Sequence, residues 1–172
     1  FGLGPIGLLI VEALRAAGAS KIYAVELSPE RQAKAEELGA IVVRPEEGET
    51  VVEAIHRLTG GGADVSYEVT GVPVVLGQAL AAVHKAGECM VVSIWEREAS
   101  INPNEFAIQE KSLKGIIAYR HIFPKVLELM EQGYFPADKL VTKKIKLENI
   151  VEEGFVELTQ DKSQIKILVE PE

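Results

Sequence analysis

Near the start of the chain, Gly2-Leu3-Gly4-Pro5-Ile6-Gly7 carries the spacing G-x-G-x-x-G. Between a strand and a helix, the first glycine of this pattern makes the turn and the second lets a diphosphate approach the backbone. The third lets the helix pack closely on the strand. Amides at the helix start then face the phosphates. Pro5 has no N–H, so that task falls to Ile6 and Gly7. So short a pattern also arises where glycines only form turns, and the context has to decide. Glu26 supplies context: it follows Gly7 by nineteen positions and ends a strand pattern, close to the ~20-residue spacing at which an acidic side chain meets an adenosine ribose. A carboxylate there accepts from the ribose hydroxyls and repels an added phosphate, which favours NAD over NADP. The alternative for Glu26 is a solvated acid at a strand end. Arg31, five positions on, could pair with Glu26, contact the ribose, or serve a 2′-phosphate if Glu26 swung away.

The elements that must position these residues alternate between helical and strand patterns, the sign of a parallel sheet with crossover helices. Residues 5–18 read as a helix with Pro5 in its first turn and Gly18 at its stop. A strand follows at 21–27, then a helix from Pro29 to about Leu38, capped by Ser28 and ended by Gly39, then a short buried strand, Ile41-Val42-Val43. A third helix (49–59) leads through Gly60-Gly61-Gly62 to a strand at 64–69, and a fourth (74–85) to a strand at 88–94. Beyond residue 100 come a polar loop at Ile101-Asn102-Pro103-Asn104, a strand-like run at 113–119 and a helix at 122–132. Lys144–Leu147, a helix near 149–159 and a last strand at Gln164–Val169 complete the chain. The expected fold is α/β: a Rossmann-type doubly wound parallel sheet with helices on both faces. Residues 1–143 are expected to form the dinucleotide-binding domain and 144–172 a C-terminal segment. Only Phe1 of the strand that should precede the glycine loop is present. In the strand order 3-2-1-4-5-6 that strand lies centrally, so a gap in the ladder is expected, to be filled by upstream residues, a neighbouring chain or a closed-up sheet.

At 172 residues, with 47% hydrophobic and 26% charged, the chain can build one substantial core, and disordered, collagen-like and membrane classes are excluded. A net charge of -8 and a pI near 5.0 argue against nucleic acid as a partner, which would require clustered Lys and Arg. The basic cluster Lys143, Lys144 and Lys146 reads as a solvated strand edge. The single cysteine, Cys89, lies in an apolar run and reads as a buried small hydrophobe. It asks for no oxidising compartment, so the cytoplasm is the default location. No apolar stretch reaches the ~18 residues of a membrane span.

With these residues in hand, the chain resembles the zinc-dependent medium-chain alcohol dehydrogenases, and among them the 2,3-butanediol dehydrogenases. The resemblance spans almost the whole chain. It is carried by the segments Val25–Arg31, Gly62–Gly71, Val91–Trp95 and Leu140–Lys144. It implies that Val69, Thr70 and Gly71 lie beside the cofactor and Val92 and Ile94 near the nicotinamide, and that main-chain groups of Ile116 and Ala118 hold the carboxamide. All of these would also serve as ordinary strand core. The resemblance further implies hydride transfer between NAD and a secondary alcohol such as 2,3-butanediol, and a homodimer or homotetramer joined through the edge near 113–119.

Alcohol oxidation in that family uses a zinc held by Cys, His and acidic ligands with one position left open. Cys89, His56, His84 and His121 show no ligand spacing. Zinc is therefore expected only in an N-terminal half outside this chain, and the C-terminal segment is expected to return towards that absent catalytic domain. No catalytic residue is assigned within these residues, and the chain alone is expected to bind NAD without turnover. His56 and His84 are read as surface residues of amphipathic helices; His121 keeps a place beside the cleft. A short-chain dehydrogenase would need Tyr-x-x-x-Lys, which none of Tyr23, Tyr67, Tyr119 or Tyr134 satisfies. A zinc-free quinone-reductase relative, which Glu26 disfavours, and a non-catalytic nucleotide-binding or assembly module stay open.

Overall fold

A computed structural model describes residues 1–161 and 163–171. Along the chain run α1 (Pro5–Ala16), β1 (Tyr23–Ala24), α2 (Pro29–Glu37), β2 (Ile41–Val42), α3 (Val51–Thr59), β3 (Ala63–Glu68), α4 (Pro73–Ala81) and β4 (Val83–Val91). They are followed by α5 (Pro103–Ala107), β5 (Ser112–Gly115), α6 (Phe123–Glu131), α7 (Ala137–Leu140), β6 (Val141–Lys146), α8 (Glu157–Gln160) and β7 (Lys166–Glu170). Every strand pairing is parallel, so the architecture is α/β, with parallel sheets flanked by helices. The chain divides into two compact units. One comprises Phe1–Gly2, Tyr23–Glu26 and Ile41–Arg120; the other comprises Leu3–Ile22, Leu27–Ala40 and His121–Glu172.

In the first unit, β1 pairs with β2, and β3, β4 and β5 form a second ladder in that order. Phe1 and Gly2 join the two. The Gly2 amide donates to the Val25 carbonyl at 2.9 Å, the Val69 amide donates to the Phe1 carbonyl at 3.0 Å, and the Phe1 nitrogen donates to the Tyr67 carbonyl at 2.9 Å. The lateral order of hydrogen-bonded segments in this unit is therefore β2, β1, Phe1–Gly2, β3, β4, β5, in keeping with the expected 3-2-1-4-5-6, although Phe1–Gly2 is not itself a strand. β1, expected over 21–27, covers only Tyr23–Ala24, where its partner β2 ends at Val42.

Two apolar clusters support this sheet. Val43, Ala54, Ile55 and Ala82 pack with Phe1, Tyr23 and Val25, while Leu76, Ala79, Leu80 and Cys89 pack with Val91, Trp95 and Leu113. Each fully buried Leu contributes about 1.5–3 kcal/mol. Cys89 is fully buried, as its apolar setting required. The start of α3 is secured by a capping box in which Thr50 and Glu53 satisfy each other's backbone amides.

Four expectations in this unit are corrected. The helix expected over 74–85 ends at Ala81, because Ala82 already accepts from the Ala63 amide at 2.9 Å and so begins the pairing of β4 with β3. His84 consequently lies in a strand rather than on a helix, with Nε2 3.2 Å from Asp64. β4 starts five residues before the expected strand at 88–94, and its register with β3 shifts between Ala63 and Val65, where Ala86 adopts a left-handed φ of 63°. The polar loop at 101–104 opens a helix instead, since the Asn102 side chain accepts from the Asn104 amide at 3.0 Å and caps α5. The run at 113–119 is a strand only to Gly115. Ile116 still donates to the Val91 carbonyl at 3.2 Å, but β4 ends there and Ala118 turns to φ 57°.

In the second unit, α1 ends at Ala17 with Gly18 left-handed behind it, and Ser28 caps α2 as expected. Arg15 donates to the Leu38 carbonyl at 2.9 Å, tying the two helices. β6 and β7 form a parallel pair, and the basic cluster lies on β6. Lys143 bonds Glu157 at 2.5 Å and Glu153 at 3.2 Å, which makes it part of a local ion-pair group rather than a bare edge. The helix expected near 149–159 is irregular: a 3-10 turn at Leu147–Asn149, a π-helical stretch at Ile150–Val156 and then α8. Buried Gly154, a poor helix former, sits in the π stretch.

Candidate cofactor site

Parallel strands end together, and their carboxyl ends are where an α/β sheet receives ligands. In the first unit these ends are Glu26 after β1, Gly2 in the centre, Glu68–Gly71 after β3, Val92–Trp95 after β4 and Ile116–Ala118 after β5. Gly2, Val69, Thr70, Gly71 and Ile94 are brought into direct packing. Gly2 has φ 91°, and a Cβ added to it would lie 2.7 Å from Thr70 Cγ2 and 3.3 Å from the Val69 carbonyl oxygen. Gly71 has φ 69°, and its Cβ would meet the Ile94 carbonyl oxygen at 2.9 Å. Both positions need glycine for conformation and for space. Glu26 is half-buried; Ile94 and Ile116 are exposed at 82% and 57%, an unusual exposure for apolar side chains at the ends of buried strands.

Gly4, Pro5, Ile6, Gly7 and Arg31 belong to the second unit. Gly4 is the N-cap of α1, with Pro5 as its first helical residue. An added Cβ at Gly4 would have no atom within 4 Å, so the backbone there is open to a ligand. Ile6 is exposed, and Gly7 is buried in the first turns of α1. The Arg31 amide donates to Ser28 Oγ at 3.4 Å.

One residue was missed in the sequence. Glu68, fully buried, gathers four donors at the ends of β3 and β4. Oε1 accepts from the Thr70 amide at 2.7 Å, the Thr70 hydroxyl at 2.5 Å and the Gly71 amide at 3.0 Å, and Oε2 accepts from the Ser93 hydroxyl. The Glu68 carbonyl accepts from the Val92 amide at 2.9 Å. Its signal was present in the alternation: Ser66 and Glu68 occupy the inward parity of β3, so an acid there had to find donors. Ser66 solves the same problem by donating to the Ala79 carbonyl at 2.8 Å.

Each unit carries part of the pattern that a dinucleotide site needs: the first has an acid at a strand end and tightly packed glycines between strands, and the second has an open glycine backbone at a helix start. Among the described residues, no group of three His, Cys, Asp or Glu side chains is arranged to hold one.

The fold and site thus define a Rossmann-type nucleotide-binding unit. Residues 5–132 match the family of zinc-binding dehydrogenases, and the chain belongs to that family. It is 64% identical over 171 residues to (R,R)-butanediol dehydrogenase of Bacillus subtilis, covering 99% of this chain and 49% of that enzyme. It is 37% identical to (R,R)-butanediol dehydrogenase of Neisseria gonorrhoeae, again over 99% of this chain and 49% of the relative. The crystal structure of 2R,3R-butanediol dehydrogenase from Bacillus subtilis superposes with a TM-score of 0.96 at 63% identity, over 100% of this chain and 50% of that one. The chain thus spans about half the length of the curated relatives it matches.

Proposed function

We propose that this chain is the NAD(H)-binding part of an alcohol or polyol oxidoreductase that moves a hydride between the nicotinamide and a secondary alcohol such as 2,3-butanediol. In this reading Gly2, Gly4, Pro5, Ile6 and Gly7 form the diphosphate loop, and Glu26 and Arg31 serve the adenosine ribose. Val69, Thr70, Gly71, Val92, Ile94, Ile116 and Ala118 line the nicotinamide half. The observation that carries it is the contact of Gly2 with Val69 and Thr70, which sets Gly2 against the end of β3 and leaves Glu26 on the other side, at the end of β1. Support for the substrate comes from the 64% identity to (R,R)-butanediol dehydrogenase.

A zinc would polarise the alcohol oxygen and lower the alcohol pKa in this reaction. Its ligands are assigned to residues outside this chain, so the 172 residues alone bind cofactor without turning over alcohol. A cytoplasmic location and pairing with a second copy through the β5 edge complete the reading. The pairing is favoured by exposed Ile116, Ile117 and Tyr119 next to that edge. Calorimetric titration with NADH and NADPH tests it: saturable binding with NADH the tighter ligand is expected. A preference for NADPH would favour a quinone-reductase relative instead. Butanediol-dependent NADH formation by this chain after chelation would contradict the assignment of the metal elsewhere.

A further inference from the structure

We infer that Glu68 is a positioning residue for the nicotinamide half of the cofactor, a reading that rests on the dinucleotide function proposed above. A buried carboxylate is costly unless its lone pairs are filled. Glu68 is fully buried, and two main-chain amides and two hydroxyls donate to it. They come from two separate segments. Oε1 holds the turn at Thr70–Gly71, and Oε2 holds Ser93 in the segment that follows β4. The carboxylate is therefore a clasp between the ends of neighbouring strands. The same two segments meet at Gly71 and Ile94, where a Cβ on the glycine would touch the Ile94 carbonyl oxygen at 2.9 Å. Glu26 stands at the end of β1 and Gly2 lies between β1 and β3, so whatever β3 and β4 present faces the half of the dinucleotide opposite the adenosine. Glu68 has no exposed surface with which to meet a ligand directly. It acts through the backbone of residues 69–71 and 92–94.

The two oxygens separate two roles, and this makes the test selective. Ser93→Ala cuts the bridge to the β4 segment and leaves the Thr70–Gly71 turn held. Calorimetry on the chain with NADH and with ADP-ribose, which lacks the nicotinamide ring, then reads the two halves of the site. For Ser93→Ala, NADH affinity is expected to fall about tenfold, the scale of one charge-assisted hydrogen bond, with ADP-ribose within about twofold of the unaltered chain. Glu68→Gln keeps an oxygen toward Thr70 and Gly71 and can donate to Ser93 Oγ, so it is expected to hold NADH within about threefold. Glu68→Ala should show the selective loss in larger form; where it does not fold, Ser93→Ala carries the test. Equal weakening of both ligands, or unchanged NADH affinity in Ser93→Ala, would overturn the clasp while leaving the cofactor reading intact. Failure of the unaltered chain to bind either ligand would overturn the cofactor reading and the clasp with it.

Discussion

Gly2 and Thr70 are packed so closely that a methyl group on Gly2 would lie 2.7 Å from Thr70 Cγ2. Thr70 cannot simply rotate away, because its hydroxyl donates to Glu68 at 2.5 Å and accepts from the Val72 amide at 3.1 Å. Gly2→Ala also places a side chain at φ 91°. A loss of about 1–3 kcal/mol is expected, several degrees in Tm. Differential scanning calorimetry checks it, and Thr70→Ser, which removes Cγ2 and keeps the hydroxyl, should recover part of the loss in the double variant. An undiminished Tm would mean that the loop has room the packing does not show.

Glu26 is expected to set the choice between NAD and NADP. Replacing it by Ser removes the acceptor for the ribose hydroxyls and the repulsion of a 2′-phosphate. The preference for NADH over NADPH should therefore shrink by roughly tenfold or more, about 1.4 kcal/mol. Titration of both cofactors measures it; an unchanged ratio would reduce Glu26 to a solvated strand-end acid.

Trp95 is the only tryptophan, and it packs against the cluster of Leu76, Ala79, Leu80 and Cys89, four residues beyond the end of β4. Its indole nitrogen is buried with no hydrogen-bond partner. Excitation of Trp95 in the presence of NADH should quench its emission and sensitise the reduced nicotinamide. Emission that does not change at saturating NADH would place the ring of the cofactor elsewhere.

An acid-sensitive ion pair joins Glu49, just before α3, to Arg57 in the last turn of that helix. The Arg57 guanidinium donates to both oxygens of Glu49 at 2.8 Å and, with the Glu46 amide, holds the Glu49 carboxyl down at about 2 from its usual 4.5. A carboxyl whose folded pKa lies below its unfolded one stabilises the fold above about pH 4.5, and that contribution disappears as the pH falls through about 2. Arg57→Ala should lower Tm at pH 6 and leave a smaller difference from the unaltered chain near pH 2. The site is solvent-exposed, so the effect is modest and salt-sensitive. Parallel Tm curves for the two proteins across this range would remove the pair from the acid limb.

The sequence by itself determined what local chemistry controls. Alternating periods of helix and strand announced a parallel α/β fold, Ser28, Gly18 and Gly60 marked helix ends, and the spacing of Gly2, Gly4, Gly7 and Glu26 pointed to a dinucleotide. These signals lie within single elements or within one strand–helix–strand unit of the chain. Tertiary structure decided whatever depends on partners far along the chain. β1 and β5 end where their parallel neighbours run out, so the 113–119 run stops at Gly115 and the 21–27 run at Ala24. The pairing of Ala63 with Ala82 pulled His84 out of its expected helix and into β4. Phe1 and Gly2 became the bridge between two ladders because Tyr67 and Val69 offered backbone partners to Phe1, and Val25 offered one to Gly2. Glu68 looks in sequence like one more acid at a strand end. Only when β3 and β4 lie side by side do Thr70, Gly71 and Ser93 converge on it, since a buried carboxylate is defined by the donors that surround it and those come from two strands.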